Sequence, residues 1–132
     1  MIGTPYFLAP EAIGGKSSIE GDLWSLGVLI FVLLTGSYPF SGDTPSEILN
    51  SIDTQRDYIF DLPVFKGISP QCIELMDGLI QIDPKKRIQV FDALSHPTFN
   101  RIGEIRKKNL LTSKKYKSRN QSSIDVVIKG VV

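Results

Sequence analysis

The run Asp22-Leu-Trp-Ser-Leu-Gly-Val-Leu-Ile-Phe-Val-Leu-Leu-Thr35 is polar only at Asp22, Ser25 and Thr35. As a helix, at about 1.5 Å rise per residue, it is about 21 Å long. Its apolar residues go round every face instead of following one stripe. A helix of that kind must be enclosed on all sides, by protein or by lipid. A bilayer-spanning helix needs about 20 apolar residues, and this run stops at Thr35-Gly36. The reading is a central buried helix of a soluble domain, with Gly36 as its stop signal. Each large side chain in it contributes about 1.5–3 kcal/mol on full burial, so the rest of the chain is expected to be arranged around it.

A chain of 132 residues allows one domain. The single Cys72 excludes an internal disulfide framework and suits a reducing compartment. The first residues, Met1-Ile-Gly-Thr-Pro5, have neither the charged start nor the apolar core of a signal peptide. Intracellular, cytoplasmic residence with no transmembrane segment is therefore expected. The net charge of +1 hides a division. Residues 1–100 carry six Lys and Arg against twelve Asp and Glu, whereas residues 101–132 carry nine against two. An acidic globular body, residues 1–99, with a flexible basic tail over 100–132, is the expected organisation.

Gly3-Thr-Pro-Tyr-Phe-Leu-Ala-Pro-Glu11 holds too much Pro and Gly for a regular element, so an extended loop is expected, then a helical turn over 10–13. Gly14 to Ser18 reads as a loop, as does Ser37 to Asp43, whose aromatics are expected to pin it to the core. Thr44-Pro45-Ser46-Glu47 is a helix start: a capping Thr, Pro at the first helical position and Glu three after the cap. That helix is expected to reach about Ile52, with Ile48, Leu49 and Ile52 on one face. Residues 53–66 read as irregular. Ser69-Pro70 starts another helix, with Ile73, Met76, Leu79 and Ile80 at helical spacing. Asp83-Pro84-Lys85-Lys86-Arg87 reads as a turn. Val90, Phe91, Ala93 and Leu94 suggest a last helix, weakly capped at Gln89 and ended at His96-Pro97. No convincing strand appears before Val126. Cys72 reads as a core residue, and His96 as structural, not catalytic.

These stretches resemble a known family. Gly3-Thr-Pro-Tyr-Phe-Leu-Ala-Pro-Glu11 is similar to the end of the activation segment of eukaryotic serine/threonine protein kinases, with its A-P-E signature. Asp22-Leu-Trp-Ser-Leu-Gly27 resembles the D-x-W-S-x-G opening of the helix at the centre of the kinase C-terminal lobe. Asp83-Pro-Lys-Lys-Arg87 resembles the D-P-x-x-R loop, and His96-Pro97 the close of the domain. Tyr38-Pro39-Phe40 and Phe31 to Gly36 are most similar to the calmodulin-dependent and calcium-dependent group. The resemblance covers residues 1–99. It implies a mainly α fold, the helical C-terminal lobe of a kinase, with the N-terminal lobe and catalytic loop absent. Some basophilic members carry Glu where Val32 stands, so a preference for Arg in the substrate is not implied.

The resemblance also implies roles. Gly3, Thr4, Pro5, Tyr6 and Phe7 correspond to the loop that receives the substrate residue after the phosphorylated one. Thr4 corresponds to the contact with the catalytic-loop Asp and Lys, its alternative being a plain turn residue. Glu11 and Arg87 correspond to a buried ion pair, their alternative being two exposed charges. Asp22 corresponds to a brace for the catalytic loop, and at a helix start it also satisfies free N–H groups. The complete family domain uses ATP and Mg²⁺ on Ser/Thr of protein substrates. The Gly-rich loop, the strand Lys, H-R-D and D-F-G do not occur in this sequence. No residue is assigned as catalytic or as a metal ligand, and no cofactor is expected for this chain alone. Two readings stand: part of an active serine/threonine kinase, or a kinase-like protein-binding module. The tail, Arg101 to Arg119, mixes basic residues with Ile102, Ile105, Leu110 and Leu111. It reads as a solvated tail, or as a site for a calmodulin-like partner. Nucleic acid is not expected.

Overall fold

The computed structural model describes residues 5–100 and 107–111. The chain divides into two compact units that meet in sequence at His96 and Pro97. In the first unit, helices α1 (Pro10–Ile13), α2 (Ile19–Thr35), α3 (Pro45–Gln55), α4 (Pro70–Leu79) and α5 (Val90–Leu94) follow in order. Tight 3₁₀ turns occupy Pro5–Phe7, Arg56–Asp61 and Pro63–Gly67. In the second unit, Pro97–Phe99 is a 3₁₀ turn and residues 107–111 are helical, with Leu110 and Leu111 exposed. Among the described residues there is no strand, and the fold is the mainly α one expected. The segment from Val126 onward lies outside the described residues.

Local chemistry explains where the helices begin. At α3 the Thr44 hydroxyl accepts from Glu47 N–H at 3.3 Å, and Pro45 stands at the first helical position. The Glu47 carboxylate reaches back to Asp43 N–H at 2.7 Å, one residue before the cap. Ser69 caps α4 by accepting from Cys72 N–H at 3.3 Å, again with Pro next. For α2, the cap is Ser18, whose hydroxyl accepts from Gly21 N–H at 3.1 Å. Helix α2 therefore starts one turn before the expected Asp22, which sits inside its first turn. It ends as expected, at Gly36 with φ +73°, a left-handed position that costs glycine nothing. No side chain caps α5 at Gln89.

Packing is centred on one side of α2. Trp24, Val28 and Phe31 join Phe40, Ile48, Ile52, Phe65, Met76 and Ile80 in the main core. The ring of Phe40 stacks on Trp24, with centroids 5.6 Å apart. Gly27 lets α2 approach α4 closely: a Cβ there would lie 2.8 Å from both Leu79 and Ile80 side chains. A second small cluster joins Leu23, Leu75, Leu79 and Ala93.

The opposite side of α2 is open. Leu26, Leu29 and Leu33, three and four residues apart, are 43 %, 43 % and 75 % exposed. Enclosure on every side is not what the described residues supply, because α4 and the 3₁₀ turns cover one face only. The segment read as irregular over 53–66 is instead the end of α3 and two 3₁₀ turns, and it buries Arg56, Ile59 and Phe65. Leu75 is buried although its sequence neighbours defined the expected face, and Leu49 is only half-buried. In α5 only Ala93 is buried, and Phe91 is 82 % exposed, so that short helix is not the core element its apolar residues suggested.

Two outcomes follow from this arrangement. Gly27→Val forces a side chain into Leu79 and Ile80, and costs about 1–3 kcal/mol in denaturant unfolding; an unchanged midpoint contradicts the close approach. The exposed leucine stripe drives self-association. Leu29→Gln with Leu33→Gln reduces it in sedimentation experiments, while changing stability by no more than about 0.5 kcal/mol per site.

Candidate functional site

Three stretches converge on Arg87: Glu11, the start of α2 and residues 81–82. This arginine lies at the end of the 83–87 turn, which is closed by Lys86 N–H donating to Asp83 O at 3.0 Å. Lys85 N–H also donates to the Asp83 carboxylate at 2.9 Å. Arg87 is only 2 % exposed. Its Nη1 donates to Glu11 Oε1 at 2.7 Å and its Nη2 to Glu11 Oε2 at 3.3 Å, a two-pronged contact across 76 residues of chain. Nη1 also donates to the Glu20 carbonyl at the start of α2. Nε and Nη2 donate to the Gln81 carbonyl at 3.0 and 2.8 Å, and Nη2 reaches Ile82 O at 3.5 Å. The guanidinium lies over Trp24, 5.3 Å from the ring centroid.

The Glu11 side chain is 14 % exposed. Burial pushes its carboxyl pKa up, but the Arg87 hydrogen bonds, a backbone hydrogen bond and the Arg87 charge together outweigh burial and leave it below its ordinary value. The carboxylate is thus the favoured form in the fold.

Residues of the 22–27 motif have separate duties. Ser25 Oγ donates to Phe7 O at 2.7 Å and to Gly21 O at 3.1 Å, so α2 holds the 5–7 turn directly. That tie was missed in the sequence, although a lone hydroxyl in an apolar run was its signal. Trp24 fills the core beneath Arg87, and Gly27 permits the α4 contact. Asp22 is exposed and borders a cavity of about 230 Å³ with Leu8, Ala12, Lys16 and Ser25.

The Pro5–Phe7 turn is further held by rings. Tyr38 lies 4.9 Å from Tyr6 and 5.6 Å from Phe7, centroid to centroid. Gly3 and Thr4, the other two residues of the expected substrate loop, lie outside the described residues. Thus Glu11 and Arg87 meet the start of α2, where Asp22 also lies, whereas Phe7 is tied to Ser25 and, with Tyr6, to Tyr38 of the segment after the helix.

A second buried arginine had no sequence signal. Arg56 is 8 % exposed, donates to the Ile80 carbonyl, and forms an ion pair with Asp77 at 2.6 Å. Cys72 is half-buried, and burial pushes its thiol pKa up, which disfavours the nucleophilic thiolate. His96 is buried. Among the described residues no group of three or more His, Cys, Asp or Glu stands close enough to hold a metal ion.

Glu11→Ala leaves Arg87 buried without its carboxylate and costs about 3–5 kcal/mol of stability. The pH dependence has a definite sign. Because the folded pKa of Glu11 lies below the ordinary 4.5, the pair stabilises fully above that pH. Its contribution is lost as the pH falls through the folded value. Glu11→Gln therefore flattens the acid limb of stability against pH, as followed by circular dichroism; an unchanged limb contradicts the pairing.

Residues 1–99 match the sequence profile of the protein kinase domain. Calcium-dependent protein kinase 4 of Plasmodium berghei is 39 % identical over 95 residues, 72 % of this chain and 18 % of that protein. Myosin light chain kinase 2 of Bos taurus is 36 % identical over 107 residues, 80 % of this chain and 17 % of that protein. Among solved structures, the twitchin kinase region of C. elegans superposes with a TM-score of 0.61 at 36 % identity, over 70 % of this chain and 16 % of that one. The chain spans less than a fifth of the length of these relatives.

Proposed function

The chain belongs to the protein kinase domain family, and from that premise we propose that it is the C-terminal-lobe part of a serine/threonine kinase that transfers the ATP γ-phosphate to protein Ser/Thr. The observation that carries this reading is the Glu11–Arg87 pair, which joins the A-P-E and D-P-x-x-R stretches at 2.7 Å. On this reading Gly3 to Phe7 receive the substrate residue after the phosphorylated one. Ser25 and Tyr38 hold the described part of that loop. Asp22, exposed beside its cavity, is free to brace the catalytic-loop backbone. Glu11 and Arg87 fix the loop to the base of the lobe.

Phosphoryl transfer is mostly positioning and charge stabilisation around ATP and Mg²⁺. The described residues of this chain offer no metal-holding cluster, and its sequence carries no H-R-D, D-F-G or Gly-rich loop. The residues present do not fit the nucleotide and its metal, and no step is assigned to them. We therefore assign the 132 residues alone no phosphotransfer. The kinase works intracellularly, in the cytoplasm. A calmodulin-like protein is the proposed partner for the basic tail, supported by its mix of basic residues with Ile102, Ile105, Leu110 and Leu111.

A chimera tests the assignment. Residues 3–99 replace the equivalent segment of a calcium-dependent kinase domain, and Ser/Thr-peptide phosphorylation is measured. The chimera is active, and Glu11→Ala lowers its activity at least about tenfold, equivalent to about 1.4 kcal/mol. A folded, ATP-binding but inactive chimera contradicts the proposal. For the 132-residue chain, Mg-ATP leaves the melting temperature unchanged; an upward shift contradicts the lack of a nucleotide site.

A further inference from the structure

The C-terminal end of α4 and the residues just after it are served by the two buried arginines. Any helix leaves its last four carbonyls without intrahelical partners. Here Met76 O accepts from Ile80 N–H at 2.8 Å, and Gly78 O from Ile88 N–H at 2.9 Å. Asp77 O accepts from Arg56 Nη2 at 3.0 Å and from the Gln81 side-chain amide at 2.9 Å. Arg56 Nε then takes the Ile80 carbonyl, and Arg87 takes those of Gln81 and Ile82. Three successive carbonyls are therefore shared between two guanidinium groups. Gln81 belongs to both sets, its carbonyl on Arg87 and its amide beside Arg56.

We propose that Arg56 and Arg87 form one clamp on the end of α4, in which the Arg56–Asp77 pair positions Arg87 and, through it, Glu11. Residues 80–82 cannot move toward one guanidinium without withdrawing carbonyls from the other. Arg87 is sealed from water, so a carbonyl it loses is not readily replaced there. Arg56 is also seated against Phe60, 5.9 Å from its ring centroid. The turn after α3 is thereby tied to the anchor of the 5–11 segment. Arg56 is a positioning residue. The coupling does not require phosphotransfer, so its failure and that of the kinase reading are distinguishable.

The charged groups on either side are Asp57, Asp83 and Lys86 around the Arg56–Asp77 cleft, and Lys16, Glu20 and Lys85 around Glu11. None of them is altered in the test. In the 132-residue chain, Arg56→Gln and Glu11→Gln are combined in a double-mutant cycle of denaturant unfolding. The unfolding constant of the double variant departs from the product of the single effects by at least about threefold. A product within error overturns the clamp. Carboxyl ¹³C NMR gives a readout that plain destabilisation does not move. In Arg56→Gln the Glu11 titration moves up toward the ordinary glutamate value, and an unmoved titration overturns the proposal. Gln81→Ala removes only the amide link and leaves both ion pairs intact. It shifts the Glu11 titration in the same direction by a smaller amount, and no shift with this variant overturns the proposal even where Arg56→Gln fails to fold.

Discussion

A guanidinium sealed from water keeps its charge at any ordinary pH, so everything around Arg87 must be arranged to hold a cation. The carboxylate of Glu11 neutralises it, and carbonyls of residues 20, 81 and 82 take its remaining N–H groups. Those partners come from three separate parts of the first unit. Helix α1, the start of α2, and the residues just after α4 are therefore placed relative to one another by a single side chain. A buried pair is not in itself a large stabiliser, because desolvation offsets much of the attraction. Its consequence is specificity: an arrangement that loses one partner leaves a buried charge.

Helix α2 shows the other half of the logic. One side is enclosed by Phe40, Phe65, Met76 and Ile80, and the approach to α4 is set by Gly27. The far side carries Leu26, Leu29 and Leu33 in the open. A helix apolar on both sides suits a position between two layers, of which the described residues supply one. Helix α2 also carries Asp22, and Ser25, which holds the 5–7 turn.

Elements with local chemical signals were legible in the sequence. Thr44-Pro45 and Ser69-Pro70 start helices because their hydroxyls and missing N–H groups suit helix N-termini, and Gly36 ends α2 because its φ is positive. The start of α2 was read one turn late, because Gly21 and Glu20 interrupt the apolar pattern ahead of Asp22 while Ser18 supplies the cap. Arg56 could not be read as buried, since its partners, Ile80 and Asp77, lie 24 and 21 residues away. The exposure of Phe91 was equally hidden, because periodicity shows that a face is apolar and not whether anything covers it. The Glu11–Arg87 pair was legible through family resemblance, and its carbonyl partners only through the fold.

The most direct measurement is nitrogen-15 NMR of the Arg87 guanidinium in the 132-residue chain. A side chain held by Glu11 and three carbonyls gives separate, slowly exchanging Nη–H resonances, with slow rotation about its terminal bonds. A single averaged resonance exchanging rapidly with water would contradict the anchor on which the first unit depends.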